Sequence, residues 1–198
     1  MGEGKPLRKI ILGKSNLSFI LWGPSGSGKT TIARLAANIS ESDFNEISAV
    51  NSGVADIRQV IKKAKKAWHI SKKTTILFID EIHRLNKSQQ DSILPDIEDG
   101  TIRLIGSTTE NPSFEVISSL RSRCQIFRLE ALSQQNISSL LELGLTDKKR
   151  GLGNESFEID SDAKRLIITY ANGDARKALN LLETARDLSL SLERDSRS

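Results

Sequence analysis

The first 130 residues alternate short apolar runs with segments whose apolar residues recur at helical spacing. The runs predict strands and the segments between them predict helices. The run at 74–81 is apolar on both faces until two carboxylates appear at its end, which is typical of a strand buried in a parallel sheet. The predicted strands lie at residues 18–22, 44–50, 74–81, 101–107 and 125–129. Strands that alternate with helices in this way indicate an α/β fold with a parallel, doubly wound sheet.

One of the predicted helices contains a proline. Asn86 and Gln89 have the spacing of a capping box, which begins a helix, and Asp99-Gly100 is a stop signal. Because Pro95 lacks a backbone N–H and its ring crowds the preceding turn, we expect it to kink this helix. The pattern therefore predicts one bent helix between the third and fourth strands.

The strand patterns stop after Leu129, and the rest of the chain is helical in pattern. Three helices are predicted at 133–144, 161–172 and 174–188, with apolar stripes that a small helical bundle would bury. The sequence therefore predicts a core domain at 1–130, a helical domain at 131–188 and a frayed or truncated tail at 189–198.

The composition is that of a soluble globular protein, with 37% hydrophobic and 27% charged residues among 198. No apolar run is long enough to span a bilayer, so we expect no membrane association. The single cysteine, Cys124, cannot form an internal disulfide, which suits a reducing compartment. These features predict a cytoplasmic protein.

The net charge is +4, from 29 basic and 25 acidic side chains, which is mild for a dedicated nucleic-acid binder. Charge alone therefore does not identify a partner. The long helix predicted after the second strand carries cations along one face, which is either an ordinary solvated face or a surface that meets nucleic-acid phosphates. These cations are Arg58, Lys62, Lys65, Lys66 and His69.

A glycine-rich segment after the first strand matches the phosphate-binding pattern G-x-x-x-x-G-K-[ST] at every fixed position. Glycines let backbone N–H groups crowd around a polyphosphate, and the N-terminus of the next helix adds partial positive charge. Lys29 can reach the outer phosphates, and the Thr30 hydroxyl can bind Mg²⁺. The alternative is a Gly/Ser turn before a helix, but the strand and helix on either side favour a nucleoside triphosphate site. The predicted binding residues are Gly23, Pro24, Ser25, Gly26, Ser27, Gly28, Lys29, Thr30 and Thr31.

Two adjacent carboxylates end the third predicted strand, at the edge where α/β sheets bind their ligands. A phosphate loop becomes an ATPase when one acidic residue steadies Mg²⁺ and a second polarises the attacking water. Asp80 and Glu81 supply both groups. Since buried adjacent carboxylates without counter-charges are costly, metal and water explain this pair better than a structural role.

Two arginines also have positions that suit nucleotide hydrolysis. Arg123 lies between a predicted helix and the fifth strand, where it could reach a neighbouring subunit's triphosphate as arginine fingers do. Arg176 lies in the first turn of a helix opened by Gly173-Asp174, where the helix dipole disfavours a cation. A local rule broken without visible compensation suggests a function. The alternative for either arginine is a surface salt bridge.

Five segments, in this order along the chain, resemble the motifs of AAA+ ATPases of the clamp-loader group. They are Gly23 to Thr31, Phe78 to Arg84, Gly106 to Pro112, Ser122-Arg123-Cys124 and Gly173-Asp174-Ala175-Arg176. More narrowly, segments 86–91 and 108–114 resemble the replication-associated recombination protein A family, also called MgsA and related to the Werner-helicase-interacting protein. The resemblance covers residues 5–188 and implies a five-stranded parallel P-loop sheet of AAA+ type followed by a small helical lid domain.

The resemblance implies a role for each candidate residue. Lys29 and Thr30 would act on the phosphates and Mg²⁺, and Asp80 would be the Walker B acid that binds the metal. Glu81 would be the base that activates water, and Thr108 the first sensor. Arg123 would be a finger that acts on a neighbouring subunit, and Arg176 the second sensor. Ser48, at the end of the second predicted strand, would gate Glu81 as a polar switch.

The resemblance further implies an ATP-dependent, DNA-associated ATPase that acts in replication fork maintenance, recombination and repair. Its cofactors would be ATP and Mg²⁺. Its partners would be DNA at a fork or a junction of single strand and duplex, single-strand-binding protein, and further copies of itself, with no membrane. We expect a cytoplasmic, nucleoid-associated protein.

Some features depart from the family pattern. Ser25 and Ser27 stand where the family usually has Pro and Thr, but both are free positions of the phosphate-binding pattern. The family's segment before the first helix, which helps hold adenine, and its oligomerising C-terminal domain lie outside this sequence. Without them we expect poor nucleotide binding.

Other functions fit parts of the same pattern. Asp80-Glu81-Ile82-His83 also matches a DExH helicase, but such an enzyme needs a second recombinase-like domain with further arginines. A small-molecule P-loop kinase would not need Glu81 or Arg123. The alternative of another class is a nucleotide-gated binding scaffold with negligible hydrolysis, which single-turnover hydrolysis with and without DNA distinguishes from the enzyme.

Overall fold

The computed structural model describes residues 6–12, 17–155 and 157–195, and the side chains of the last helix up to residue 191. The strands are β1 Ser18–Trp22, β2 Asp43–Ser48, β3 Thr75–Asp80, β4 Ile102–Thr108 and β5 Cys124–Arg128. The helices are α1 Pro6–Leu12, α2 Lys29–Ser40, α3 Val54–Ser71, α4 Lys87–Asp91, α5 Leu94–Glu98, α6 Pro112–Glu115, α7 Ser118–Arg121, α8 Gln134–Thr146, α9 Ser161–Ala171 and α10 Ala175–Asp195. A short 3-10 turn, Ile82–Arg84, follows β3.

The chain divides into two compact units. The first is Met1–Gly23 with Lys29–Leu129, and the second is Pro24–Gly28 with Glu130–Ser198. The first unit therefore holds the sheet, and the second holds the last helices together with the loop between β1 and α2.

The five strands form one parallel sheet in the order β2-β3-β4-β1-β5. Trp22 pairs with Thr108 of β4, and Ser48 pairs with Asp80 of β3. Because the strands are parallel, these residues, each the last of its strand, lie at the same edge of the sheet. The predicted five-stranded parallel α/β sheet is confirmed.

Strand β3 is buried on both faces of the sheet. Along β3, Ile76 and Phe78 pack in one hydrophobic cluster, and Leu77 and Ile79 pack in another, because successive side chains of a strand point to opposite faces. The first cluster includes residues of α1 and α2, and the second includes residues of α3 and of the segment between β3 and β5. Four fully buried apolar side chains thus precede Asp80, the carboxylate that ends the strand.

The prediction of one bent helix between the third and fourth strands is wrong, since the structure has two short helices there, α4 and α5. The predicted capping box is present: Gln89 N–H donates to Asn86 Oδ1 at 2.9 Å, and Asn86 N–H donates to Gln89 Oε1 at 2.8 Å. Pro95 lies at the start of α5, where a backbone N–H has no partner within the helix. The proline therefore lies in the first turn of a new helix and does not bend an existing one.

The second unit has its own hydrophobic core. It is formed by α8, α9 and α10 through Ile137, Leu141, Ile167, Ala178 and Leu182, which are all buried. These residues belong to the three predicted apolar stripes, so the predicted small helical bundle is present in this unit.

The segment predicted as a frayed or truncated tail, 189–198, includes the end of α10, which continues to Asp195. No Gly or Pro interrupts residues 176–195, and the Leu, Glu and Arg residues there favour a helix. Residues 196–198 of the predicted tail lie outside the described residues. Neither α10 nor any other helix in the described part of the chain is long and apolar enough to cross a membrane.

Candidate active site

The predicted phosphate loop connects β1 to α2. Gly26 and Gly28 have φ angles of 66° and 88°, in the left-handed region that glycine adopts most readily. Ser27 Oγ donates to the Pro24 carbonyl at 2.8 Å, which closes the loop on itself. Within the second unit, the Gly26 carbonyl also accepts a hydrogen bond from Ala175 N–H at 3.2 Å. Both glycines therefore adopt a backbone conformation that residues with a side chain rarely adopt.

Lys29 and Thr30 are the first two residues of α2. The Lys29 side chain is buried, and its Nζ donates to the carbonyl of Gly23 at 2.8 Å. Gly23 in turn donates from its N–H to the carbonyl of Thr108 at 3.1 Å, which joins the ends of β1 and β4. The ammonium group is thus fixed at the sheet edge and the helix N-terminus, where positive charge favours an anion.

Asp80, the last residue of β3, accepts a hydrogen bond from Ser107 Oγ of β4. Ser107 is fully buried, and its Oγ also accepts the N–H of Glu81 at 3.4 Å. Among the described residues no cation forms an ion pair with Asp80. A partly buried carboxylate without a counter-charge is costly, so this position suits a divalent cation.

A metal ion would need oxygen ligands from more than one source. Within the described ranges, no group of three or more His, Cys, Asp or Glu side chains could hold an ion. Mg²⁺ keeps several waters and commonly binds through one or two protein groups plus substrate phosphates. Asp80 and the Thr30 hydroxyl therefore fit Mg²⁺ that arrives with a nucleotide, and they do not form a closed metal cage.

Glu81 has an unusual backbone conformation, with φ 54° and ψ 49°. A non-glycine residue in this left-handed region is strained by about 1–3 kcal/mol, and such residues concentrate at functional sites. Its Oε2 lies 3.1 Å from Nδ1 of His83 and accepts from Thr109 Oγ1 at 3.4 Å. The side chain is 28% exposed, so this carboxylate can reach solvent while one oxygen is held.

Thr108 is fully buried at the end of β4. Its Oγ1 lies 3.0 Å from His83 Nδ1, accepts the N–H of Glu110 at 3.0 Å and can donate to the Glu110 carbonyl at 3.1 Å. The structure therefore links the predicted base Glu81 to the predicted sensor Thr108 through one imidazole nitrogen.

Three residues of this network were not predicted from the sequence: Ser107, Thr109 and His83. Ser107 and Thr109 flank Thr108, and the polar run at the end of β4 was a signal for both. His83 follows the two carboxylates closely, but its spacing alone does not show that Nδ1 reaches Oγ1 of Thr108.

The predicted finger residue, Arg123, lies away from this network. It is exposed, forms an ion pair with Glu98, and donates to the Ser119 carbonyl at 2.7 Å and to Ser122 Oγ at 3.1 Å. No hydrogen bond or ion pair joins it to Glu81 or another predicted site residue among those described. Its predicted action on a neighbouring subunit stays a prediction.

Ser48 pairs with Asp80 in the sheet register, but the contacts made by Glu81 Oε2 are to His83 and Thr109. The predicted gating of Glu81 by Ser48 therefore also stays a prediction.

Arg176, the predicted second sensor, is exposed in the first turn of α10. The sequence suggested that nothing offsets a cation there, but Asp174 does. Its Oδ1 accepts the N–H of Lys177 at 3.0 Å, so a carboxylate caps this helix N-terminus. The presence of a cation in the first turn therefore needs no functional explanation, and the sensor role of Arg176 stays a prediction.

The chain matches a family model and several relatives. Residues 19–131 match the model of the ATPase family associated with various cellular activities (AAA). It is 47% identical over 188 residues to replication-associated recombination protein A of Escherichia coli, covering 95% of this chain and 42% of that protein. It is 48% identical to ATPase WRNIP1 of Dictyostelium discoideum, covering 92% of this chain and 21% of that protein. The chain thus spans less than half the length of these relatives.

Solved structures of Thermotoga maritima RuvB resemble the fold. The RuvB structure described as a Holliday junction branch migration motor has a TM-score of 0.72 and 26% identity, and the match covers 94% of this chain and 60% of that one. The predicted resemblance to the replication-associated recombination protein A and Werner-helicase-interacting proteins is confirmed by the names of the relatives. The match to the family model covers more than half of the chain, which therefore belongs to the AAA family, the ATPase family associated with various cellular activities.

Proposed function

We propose that this chain is the ATP-hydrolysing part of a DNA-associated AAA+ ATPase that acts in replication fork maintenance, recombination and repair. Family membership supports an ATPase, and the names of its relatives support a role in replication and recombination. The observation that carries the proposal is the pair of carboxylates at the end of β3, each held by polar residues of the neighbouring strand end or the following turn.

Each residue near the sheet edge has a task in this proposal. Lys29 binds the outer phosphates, while Thr30 and Asp80 hold Mg²⁺. The ion, when bound with ATP, neutralises charge on the phosphate oxygens. Glu81 orients a water and accepts its proton, and Thr108 acts as the first sensor of bound nucleotide. The loop residues Ser25 to Gly28 supply backbone N–H groups to the polyphosphate, and Thr31 follows them in α2.

The finer assignments concern residues and partners outside this network. Arg123 completes the site of a neighbouring copy in a homo-oligomer, and Arg176 acts as the second sensor of bound nucleotide. The DNA partner is a fork or a junction of single strand and duplex, near single-strand-binding protein in the nucleoid. These assignments rest on the motif resemblance described above.

The test separates nucleotide binding from hydrolysis. Lys29→Ala should abolish binding of a fluorescent ATP analogue, while Glu81→Gln should bind it as the wild type does and lose single-turnover hydrolysis. Glu110→Gln is the matched control, because it removes the same charge from an exposed carboxylate near the same sheet edge. Retained binding in Lys29→Ala together with lost binding in Glu81→Gln would overturn both roles.

The same measurement addresses the alternative function. A wild-type chain that binds ATP but hydrolyses none in a single turnover, with or without DNA, would be a nucleotide-gated binding scaffold. Hydrolysis that Glu81→Gln removes and Glu110→Gln preserves supports the enzyme.

A further inference from the structure

The imidazole of His83 is fixed in place by the turn that carries it. Arg84 N–H donates to the Glu81 carbonyl at 2.8 Å, and Leu85 N–H donates to the Ile82 carbonyl at 3.1 Å. Ile82 is fully buried and lies close to Gly106, since a Cβ added at Gly106 would lie 3.0 Å from Cδ1 of Ile82. The His83 side chain is itself only 9% exposed. The ring therefore has little freedom to move away from its two oxygen neighbours.

Nδ1 of His83 faces two oxygens at hydrogen-bonding distance, Glu81 Oε2 at 3.1 Å and Thr108 Oγ1 at 3.0 Å. A ring nitrogen either carries one hydrogen or presents one lone pair, and an ionised carboxylate can only accept. If Nδ1 presented a lone pair, it would face the Glu81 carboxylate without a hydrogen between them. The Thr108 hydroxyl has a different acceptor within reach, the Glu110 carbonyl at 3.1 Å.

One arrangement of hydrogens satisfies all these groups. Nδ1–H donates to Glu81 Oε2, the Thr108 hydroxyl donates to the Glu110 carbonyl, and Thr108 Oγ1 accepts the Glu110 N–H. Thr108 thus places a second oxygen beside Nδ1 and favours the tautomer with a hydrogen on that nitrogen.

We propose that His83 is the positioning residue of Glu81: its Nδ1–H holds Oε2, so that Oε1 faces the attacking water. The inference rests on the proposed function only in taking Glu81 as the base. Thr109 Oγ1 donates to the same oxygen at 3.4 Å, and no hydrogen bond or ion pair involves Oε1 within the described part of the chain. A base whose second oxygen is held by a fixed donor is the arrangement that catalytic carboxylates and their orienting partners share.

Three substitutions test the role of Nδ1. Asparagine can place its side-chain N–H at the same distance from Cα as Nδ1, whereas glutamine places it where Nε2 lies, and alanine provides no donor. We expect kcat for ATP to fall by roughly 10- to 100-fold in His83→Ala and His83→Gln, as when an orienting partner of a functional group is removed. KM and nucleotide affinity should stay within about twofold of the wild type, since Glu81 does not hold the nucleotide. His83→Asn should retain kcat within about threefold of the wild type.

If the imidazole of His83 had only a structural role, the three variants would show a different pattern of turnover. If His83→Asn loses as much turnover as His83→Ala, or if His83→Ala hydrolyses ATP like the wild type, the inference is wrong. Glu81→Gln, measured beside these variants, tests the proposed function separately. Full turnover in Glu81→Gln would remove Glu81 as the base, whatever the His83 variants do.

A spectroscopic measurement tests the inference without turnover. The chain has two histidines, and His69 is exposed on α3, so it serves as an internal reference for an unrestrained ring. Long-range ¹⁵N–¹H correlation spectra of the nucleotide-free chain should show a hydrogen on Nδ1 of His83. In Glu81→Ala that hydrogen should move to Nε2 because the acceptor is gone. A hydrogen-free Nδ1 in the wild type would overturn the proposal.

Discussion

Arg123 and Glu98 form an ion pair in the first unit, between the residue that precedes β5 and the last residue of α5. Arg123 Nε donates to Glu98 Oε1 at 2.5 Å, and the two side chains are 37% and 50% exposed. Exposed ion pairs contribute only about 0–1 kcal/mol to stability. Glu98 therefore holds the guanidinium weakly enough for a more highly charged anion to displace it.

Arg123→Ala should bind ATP normally and lose most turnover, because the proposed finger acts on a neighbouring copy. Fingers supplied by a partner contribute roughly three to five orders of magnitude in rate. Arg123→Ala and Glu81→Gln should each be inactive alone and active when mixed. In mixed assemblies some sites combine an intact Glu81 with an intact Arg123 from the other copy. The test is an ATPase assay on these mixtures, after light scattering has verified that they assemble.

Glu98→Gln provides the matched control for this experiment. It removes the negative charge that pairs with Arg123 and leaves the arginine in place, so turnover in assembled samples should be retained or rise. Mixtures that assemble but recover no activity would show that Arg123 does not act on a neighbour.

The cationic face of α3 should carry part of any DNA affinity. Arg58, Lys62 and Lys66 are exposed, and none of them has an ion-pair partner among the described residues. Replacing all three with Gln should weaken DNA binding and reduce the slope of log K against log salt by about 1 for each DNA phosphate that is no longer neutralised. The same charge change at Lys148, Lys149 and Arg150 is the control. Equal reductions of affinity in both triple variants would indicate a general effect of net charge.

Lys65 differs from the other cations that the sequence grouped with it. Its Nζ lies 2.6 Å from Oδ1 of Asp96, which is buried, and that carboxylate raises the pKa of Lys65. Lys65→Gln should therefore destabilise the fold, whereas Lys62→Gln should not, because only the first leaves a buried carboxylate without its partner. A raised lysine pKa stabilises the fold below pH 10.5, and this contribution should disappear as the pH rises above that value. Urea unfolding at pH 8 and pH 11 checks both statements.

The features that sequence predicted well are those encoded by neighbouring residues. The strand that ends at Asp80 is recognisable because its apolar run stops at a carboxylate, and the phosphate loop because its glycines and Lys29 have fixed spacing. The contacts that hold the carboxylates join separate elements: Ser107 is 27 residues from Asp80, and Thr108 is 25 residues from His83. Such contacts depend on strand register and side-chain direction, which no single stretch of sequence specifies.

The same reason explains two residues that were interpreted wrongly from the sequence. Arg176 looked uncompensated until the structure showed Asp174 capping the same helix. Lys65 looked like one of several equivalent cations, but among the described side chains of that face it is the one that reaches a buried carboxylate on α5. At both positions the orientation of a partner side chain decides whether the cation is compensated. Residue types alone do not reveal that orientation.

Cys124 should be nearly unreactive in the folded chain. Burial raises the pKa of its thiol from an ordinary 9.0 to about 12, which lowers the thiolate fraction near pH 8 by roughly a thousandfold. Alkylation by iodoacetamide should be slow in buffer and fast in denaturant, and Cys124→Ala provides the blank. Since the folded state keeps its proton while the unfolded state loses it, stability should fall as the pH rises from 9 towards 12. Alkylation in buffer as fast as in denaturant would contradict this burial.

Gly26 should tolerate a side chain less well than Gly28, although both have positive φ angles. An added Cβ at Gly26 would lie 2.0 Å from Oδ1 and 2.8 Å from Cα of Asp174, whereas at Gly28 it would meet nothing within 4 Å. Gly28→Ala therefore measures the backbone strain alone, about 1–2 kcal/mol in the free energy of unfolding. Gly26→Ala should add about 1–3 kcal/mol, because the Asp174 backbone must move. Urea unfolding of the two variants checks the difference, and equal destabilisation would mean that Gly26 does not lie against Asp174 in solution.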